Sequence, residues 1–378
     1  MAEAFTEEQL SKARREFFAA GVENWLEALG DLTFPSVSIQ LPRDACLSLS
    51  CATIGLSDDH ALAGLIDGAL VDQGWSQAFV KLSTRSPKDS PQILERAAEA
   101  FSAQNGLALS ANDRCKLFSA LVQENFSIRS GKEAVELLAA SERVQEDCGY
   151  ALEGDDYDAL GVHVVLRRWD GAIPPANEFR GIIWKGKMNA LSQYYHGLFF
   201  PELNDIKPFI EEDLRNVHAV IQPKLSAVGF ESYLVDLAWL GRGSVRVIEV
   251  NPFDGVGLGT MAASTCLFRW DDPEDKQIIM EGPMEFRLRL EAQTEYELKR
   301  KMNEDWRKII FPPKWKQNAA AVAGKGGGKG SSKDGDKGYK LPDPSSLVKG
   351  KAKGRGKREY VSETACEQMG EAPADLIA

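Results

Sequence analysis

Apolar residues follow a helical period through much of the first half of the chain. A capping box at residues 6–9, opened by Thr6 and closed by Gln9, predicts that the first helix begins there. Short apolar runs at residues 36–41 and 78–82 predict two strands. Elsewhere apolar residues recur three and four positions apart, which is typical of amphipathic helices. These predicted helices cover residues 60–71, 91–104, 111–124 and 131–148.

The second half changes to the pattern of a β-sheet. Short apolar runs are separated by turn residues, and only residues 210–225 keep a helical period. Turns at residues 184–187 and 241–243 each join two such runs, which predicts two hairpins. Helices followed by antiparallel strands predict an α+β protein. The predicted strands cover residues 162–169, 178–183, 188–194, 232–240, 244–252 and 284–290.

The composition is that of an ordinary globular protein. With 378 residues, of which 43% are hydrophobic and 27% charged, the chain can build one large domain or two intimate ones. It has no apolar run of the roughly 18 residues that a membrane helix needs, and its N-terminus lacks a signal pattern. We therefore expect a cytoplasmic protein that makes no membrane contact. The six cysteines include no C-x-x-C pair, so no zinc or dithiol motif is predicted.

Charge and composition change near the end of the chain. The formal net charge is −11, yet the stretch from Lys314 to Arg358 holds 13 lysines and arginines against three acids. Glycine, lysine and serine dominate there, so residues 317–378 are predicted to form a disordered tail. The acidic body disfavours nucleic acid as the main ligand. For the basic run 350–358 two interpretations stay open, namely an RNA contact or nuclear signal, and a solvated tail without a specific ligand.

Oxygen ligands converge on the second predicted hairpin. Asp236 lies among apolar neighbours on its first strand, and Glu249 and Asn251 are two residues apart on its second strand, so they share a face. A carboxylate buried in such a strand needs a positive partner. Mg²⁺ prefers carboxylates together with other oxygen ligands, and it would supply that charge. The alternative is that these acids are ordinary residues of a solvent-facing strand.

Two other segments carry cations that could bind phosphate. Lys81 ends a predicted strand and is followed by a loop with several hydroxyl side chains, although no P-loop or dinucleotide motif is present. Arg167 and Arg180 lie in strands otherwise built from apolar residues, and guanidinium groups bind phosphate bidentately. Trp169 could flank a purine base. The alternatives are a solvated loop around Lys81 and a core position for Trp169.

The order of these parts is that of an ATP-grasp site. A lysine strand, helices, an arginine and tryptophan strand, a hairpin, a helix and an acidic hairpin follow one another. In that architecture two α+β subdomains hold the nucleotide between them. We predict a helical region and lid-type subdomain with Lys81 in residues 1–160, a second subdomain in residues 161–316, and the tail in residues 317–378.

Several segments resemble the cell division cycle protein 123 family. The similarity spans about Trp25 to Trp270 and is most specific at residues 79–89, 166–169 and 178–180. It implies an ATP-grasp-like fold, bound ATP and Mg²⁺ held by Asp236, Glu249 and Asn251. The nucleotide site implied by the resemblance comprises Lys81, Ser86, Lys88, Asp89, Arg167, Arg168, Trp169, Glu178, Arg180, Lys187 and the three metal ligands.

The resemblance also implies a function and a partner. The family assembles the heterotrimeric translation initiation factor 2 by docking on its gamma subunit, so we expect an assembly chaperone that acts as a monomer. An ATP-grasp ligase that activates a carboxylate by phosphoryl transfer is the alternative, and a scaffold with a decayed nucleotide site is a third. The chain departs from the family at Glu249, where aspartate is usual, at Tyr194-Tyr195, where Arg-Asp is usual, and in its basic tail.

Overall fold

The computed structural model describes residues 6–51, 58–153, 156–253 and 265–313, and the described residues up to Phe311 belong to one compact unit. Its helices are α1 (Glu7–Ala19), α2 (Leu26–Leu29), α3 (Arg43–Ser50), α4 (Asp58–Asp72), α5 (Pro91–Ala103), α6 (Ala111–Glu124), α7 (Gly131–Ala139), α8 (Glu142–Leu152), α9 (Tyr157–Leu160), α10 (Glu202–Ala227), α11 (Pro273–Glu281), α12 (Glu295–Lys301) and α13 (Glu304–Ile310). Its strands are β1 (Ser36–Gln40), β2 (Ala78–Leu82), β3 (Ser127–Ile128), β4 (His163–Arg168), β5 (Glu178–Trp184), β6 (Lys187–Gln193), β7 (Tyr233–Trp239), β8 (Val245–Pro252) and β9 (Glu285–Arg287).

The strands form two sheets, which confirms the predicted α+β class. One sheet has the order β1-β4-β2-β3, and the other has the order β8-β7-β5-β6-β9. Neighbouring strands are antiparallel except for the parallel pair of β6 and β9. The predicted subdomain boundary at residue 160 falls just before β4, which pairs with β1 and β2 in the first sheet.

Local signals in the sequence explain where several elements begin and turn. Thr6 and Gln9 form the predicted capping box at the start of α1. Both predicted hairpins are present, as β5–β6 and β7–β8. In the first hairpin Lys185 and Gly186 both have positive φ, at 47° and 77°, which is the backbone of the tight turns that match strand twist.

The predicted helix over residues 131–148 is wrong in one respect, because the structure has two helices there. α7 ends at Ala139 and α8 begins at Glu142. Ser141 separates them because its hydroxyl accepts a hydrogen bond from Val144 N, which caps α8. The hydrophobic period continues across this break, so periodicity alone does not reveal it.

Other differences concern elements with little periodic signal. α10 begins at Glu202, eight residues before the predicted start at residue 210, and contains Pro208. Several short helices, α2, α3, α9 and α11–α13, were not predicted. None of the described helices has both the length and the hydrophobicity required to cross a membrane. The predicted tail at residues 317–378, with its basic run 350–358, lies outside the described residues.

Candidate functional site

A cavity lies between the two sheets, and nine of the thirteen predicted site residues line it. Five cationic, four acidic and seven aromatic side chains contribute to its wall. Such a mixture suits a ligand that has both a charged part and a flat apolar part. The predicted residues that line the cavity are Lys81, Ser86, Lys88, Arg167, Arg168, Trp169, Glu178, Asp236 and Glu249.

Strand register explains why the first sheet presents cations to the cavity. β2 and β4 are antiparallel, with Phe79 opposite Arg167 and Lys81 opposite Val165. Alternate residues share a face, so Phe79, Lys81 and Arg167 lie on one face of this sheet. The residues between them, such as Val80, point to the other face and are buried in the hydrophobic core.

The second sheet aligns a cation and two acids across three strands. Arg180 on β5 lies opposite Asp236 on β7, and Asp236 lies opposite Glu249 on β8. Arg180 Nε and Nη2 donate to the two carboxylate oxygens of Asp236, each at 2.7 Å. Asn251 Nδ2 donates to Asp236 Oδ2 at 3.2 Å. The positive partner that buried Asp236 requires is therefore Arg180 in this structure.

Polar contacts join the two sheets at the cavity. Lys81 Nζ forms an ion pair with Glu249 Oε1 and donates to Thr84 O at 3.4 Å. Arg167 Nη2 donates to Ile248 O at 2.8 Å. Strands β2 and β4 are thereby connected to β8, so the cations of one sheet lie beside the acids of the other.

Arg167 is a buried cation that forms no ion pair within the described part of the chain. Burial lowers the pKa of Arg167 to about 10, and the negative charge of Glu249 opposes this shift. Its guanidinium also lies over the Phe34 ring, at 5.2 Å from the centroid. A buried guanidinium without a carboxylate favours the binding of an anion from solution.

Glu178 is a buried acid on the same face as Arg180. Burial, together with the negative charge of Asp236, raises the pKa of Glu178 to about 8. Gln123 Nε2 donates to Glu178 Oε1 at 2.5 Å and to the Tyr195 hydroxyl at 2.6 Å. Helix α6, which carries Gln123, is thus connected to the cavity wall.

The oxygen ligands around Asp236 fit a magnesium ion. Two carboxylates, Asp236 and Glu249, face each other across neighbouring strands, and Asn251 contacts the first of them. Each carboxylate oxygen can accept more than one bond, so the contacts to Arg180 and Lys81 leave acceptor capacity. These oxygen ligands suit Mg²⁺ in number and type. No cluster of three or more acidic, histidine or cysteine side chains that could hold a metal occurs among the described residues.

Four predicted residues do not line the cavity: Arg180 and Asn251, which contact Asp236, and also Asp89 and Lys187. Asp89 accepts hydrogen bonds from the Ser141 hydroxyl and from Arg143 N, so it fixes the start of α8. Lys187 is exposed at the outer end of the β5–β6 hairpin, opposite Trp184. Arg168, which does line the cavity, is exposed and forms a bidentate ion pair with Asp170.

The cavity also contains residues that sequence reasoning missed. Phe34 and Arg143 belong to stretches that resemble the family, and Gln123 lies in a predicted helix, but none of the three was predicted to be a site residue. Only the tertiary fold brings them together at the cavity. Tyr194 is one of the departures from the family pattern, and the centroid of its ring lies 4.8 Å from the Arg180 guanidinium. An aromatic residue at the end of the predicted strand over residues 188–194 was the signal available for it.

The fold is similar to that of Cdc123 from Schizosaccharomyces pombe. The C-terminally truncated form of that protein superposes with a TM-score of 0.53 at 17% identity, over 74% of this chain and 98% of that chain. A second structure of Cdc123 from the same organism gives a TM-score of 0.53 at 17% identity, over 77% and 100% of the two chains. No protein-family model and no curated protein matches the sequence. The chain therefore has the α+β fold of Cdc123.

Proposed function

We propose that the chain binds ATP together with Mg²⁺ in the cavity between its two sheets. The observation that carries this proposal is Arg167, a buried guanidinium at the cavity wall without a carboxylate partner among the described residues. An anionic ligand would offset the cost of burying that charge. The seven aromatic side chains of the wall offer apolar surface for a purine base.

Different residues of the cavity bind different parts of this ligand. Lys81 and Arg167 bind phosphate oxygens, and Lys81 exchanges its contact with Glu249 for one with phosphate. Asp236, Glu249 and Asn251 hold the metal, which supplies positive charge against the phosphates when it is bound. Arg180 keeps Asp236 ionised and oriented because two hydrogen bonds fix its carboxylate.

A titration of the full-length protein with ATP tests this proposal. We expect binding that strengthens when Mg²⁺ is added. The variant Lys81→Met should weaken ATP binding by about 1–3 kcal/mol, the range for loss of a charge-assisted contact. Isothermal titration calorimetry measures the dissociation constant of ATP with and without Mg²⁺, for the wild-type protein and for the variant.

Lys132→Met is a matched control for this titration because Lys132 is exposed on α7 and does not line the cavity. Its ATP affinity should equal that of the wild-type protein. If the wild-type protein does not bind ATP at millimolar concentration, the proposed nucleotide site is wrong. If Lys81→Met and the wild-type protein bind ATP with equal affinity, Lys81 does not contribute to ATP binding.

We also propose that the nucleotide-bound protein assembles translation initiation factor 2 and docks on its gamma subunit. The sequence resemblance and the shared fold support this partner. The purified full-length chain should form a stable complex with the gamma subunit in size-exclusion chromatography, and none with the isolated beta subunit. ATP turnover that rises with an added carboxylic acid and amine, without such a complex, would favour the ligase function instead.

A further inference from the structure

Arg143 is a cation of the cavity that the sequence resemblance does not place in the nucleotide site. It lies in the first turn of α8, and its side chain lines the same cavity as Lys81 and Arg167. Its backbone contacts Arg85 and Asp89, which lie on either side of Ser86 and Lys88 in one loop.

The backbone of Arg143 is fixed relative to this loop. Its N–H donates to Asp89 Oδ2 at 3.1 Å, and its carbonyl accepts from Arg85 Nη2 at 3.0 Å. Arg85 is itself held by Asp147, because Arg85 Nε donates to Asp147 Oδ1 at 2.8 Å. Thr84 also donates to this buried carboxylate, at 2.5 Å. The loop and the start of α8 therefore form one connected unit, which keeps Arg143 beside residues 84–89.

The guanidinium of Arg143 has no hydrogen-bond acceptor among the described residues. Its Nε is buried and makes no hydrogen bond. Among the described residues, seven buried side-chain polar atoms are without a partner, and the Nε of Arg143 is the one that belongs to a residue of the cavity wall. No carboxylate in the described part of the chain forms an ion pair with Arg143, whereas Lys81 and Arg168 each have one. A buried donor without an acceptor is costly, so an acceptor from a ligand would stabilise this arrangement.

We propose that Arg143 binds the phosphate tail of the nucleotide and makes affinity depend on the number of phosphates. This inference rests on the proposed ATP site. A guanidinium offers a planar fork of donors that matches phosphate oxygens. Ser86 and Lys88 belong to the loop that contacts the Arg143 backbone, so a hydroxyl, an ammonium group and the Arg143 guanidinium all line the cavity. Adenosine, which has no phosphate, would make no contact with this group.

Titrations of the full-length protein with ATP, ADP, AMP and adenosine test the assignment. Arg143→Gln should weaken ATP binding about tenfold to hundredfold, the equivalent of one charged hydrogen-bonding contact. Its affinity for adenosine should equal that of the wild-type protein. Arg143→Lys keeps the charge without the planar fork, so its ATP affinity should lie between those of the glutamine variant and the wild-type protein. Arg129→Gln, an exposed arginine before α7 that does not line the cavity, is the matched control and should bind all four compounds normally.

The outcomes separate this inference from the proposed function. Wild-type protein that does not bind ATP overturns both. Normal ATP binding by Arg143→Gln, with weak binding by Lys81→Met, overturns the role of Arg143 alone. Equal weakening for ATP and adenosine also overturns it, because the residue would then act on the base or on the fold. If the glutamine variant does not fold, the lysine variant decides between the same outcomes.

Discussion

Asp236→Ala should lower the free energy of unfolding by about 3–5 kcal/mol, the cost of breaking a buried ion pair by removing one partner. The side chains of Asp236 and Arg180 are 3% and 7% exposed. Burial lowers the pKa of Arg180, but the charge of Asp236 and its hydrogen bonds outweigh this effect, so the pKa lies above its ordinary value. Without Asp236 the buried, charged guanidinium of Arg180 would lose two hydrogen bonds and the carboxylate that balances its charge. Urea denaturation of the apo protein measures the difference.

The same variant should remove the part of ATP binding that depends on Mg²⁺. Asp236 is one of two carboxylates in the proposed metal site, and the other, Glu249, also pairs with Lys81. A second variant distinguishes the loss of stability from the loss of the ligand. Asp236→Ala combined with Arg180→Met leaves no unpaired charge, so it should regain part of the stability but none of the metal-dependent binding. An Asp236→Ala variant as stable as the wild-type protein would contradict the importance of this ion pair.

The strands of the candidate site could be predicted from the sequence because a period of two, interrupted by turn residues, is a strong local signal. The positions of Asp236, Glu249 and Asn251 on β7 and β8 followed from that period. Their partners could not be predicted in the same way. Arg180 was predicted to clamp phosphate, whereas the structure pairs it with Asp236 across β5 and β7. Which strands are neighbours in a sheet depends on tertiary packing, and no local pattern records it.

Residues contributed by helices were harder to find. Gln123 reaches Glu178 from α6, and Arg143 lies just after the break between α7 and α8. Both belong to amphipathic segments in which polar residues are expected, so the local pattern assigns neither of them to the site. The break itself depends on Ser141, whose hydroxyl caps α8 and also donates to Asp89. A serine between two apolar stretches has many other possible roles in a sequence.

The separation of charges in the cavity has a consequence for ligand binding. Lys81 and Arg180 are each paired with an acid in the structure, whereas Arg167 and Arg143 have no carboxylate partner in the described part of the chain. Binding of phosphate by Lys81 must replace its ion pair with Glu249, and the loss of that pair offsets part of the free energy gained from the phosphate contact. Arg167 and Arg143 have no such contact to break. These two arginines should therefore contribute more to nucleotide affinity than Lys81 does.

Glu178→Gln should make the stability of the apo protein less sensitive to pH. The pKa of Glu178 is raised from 4.5 to about 8, so between these values the folded state holds a proton that the unfolded state has lost. The wild-type protein should therefore lose stability as pH rises from about 4.5 to 8, by about 3–5 kcal/mol for this group. Glutamine cannot ionise, but it can still accept the hydrogen bond from Gln123. The variant should consequently gain stability relative to the wild-type protein as pH rises.

Urea denaturation of both proteins at several pH values between 5 and 8 isolates this effect, because other titrating groups contribute equally to the two curves. Glu124→Gln is a matched control, since Glu124 is the exposed neighbour of Gln123 at the end of α6. Its difference from the wild-type protein should stay constant across the range. A constant difference for Glu178→Gln as well would mean that Glu178 is ionised in the folded protein. In that case the buried carboxylates of the cavity would both be charged before any ligand binds, and the cations around them would have less capacity for phosphate.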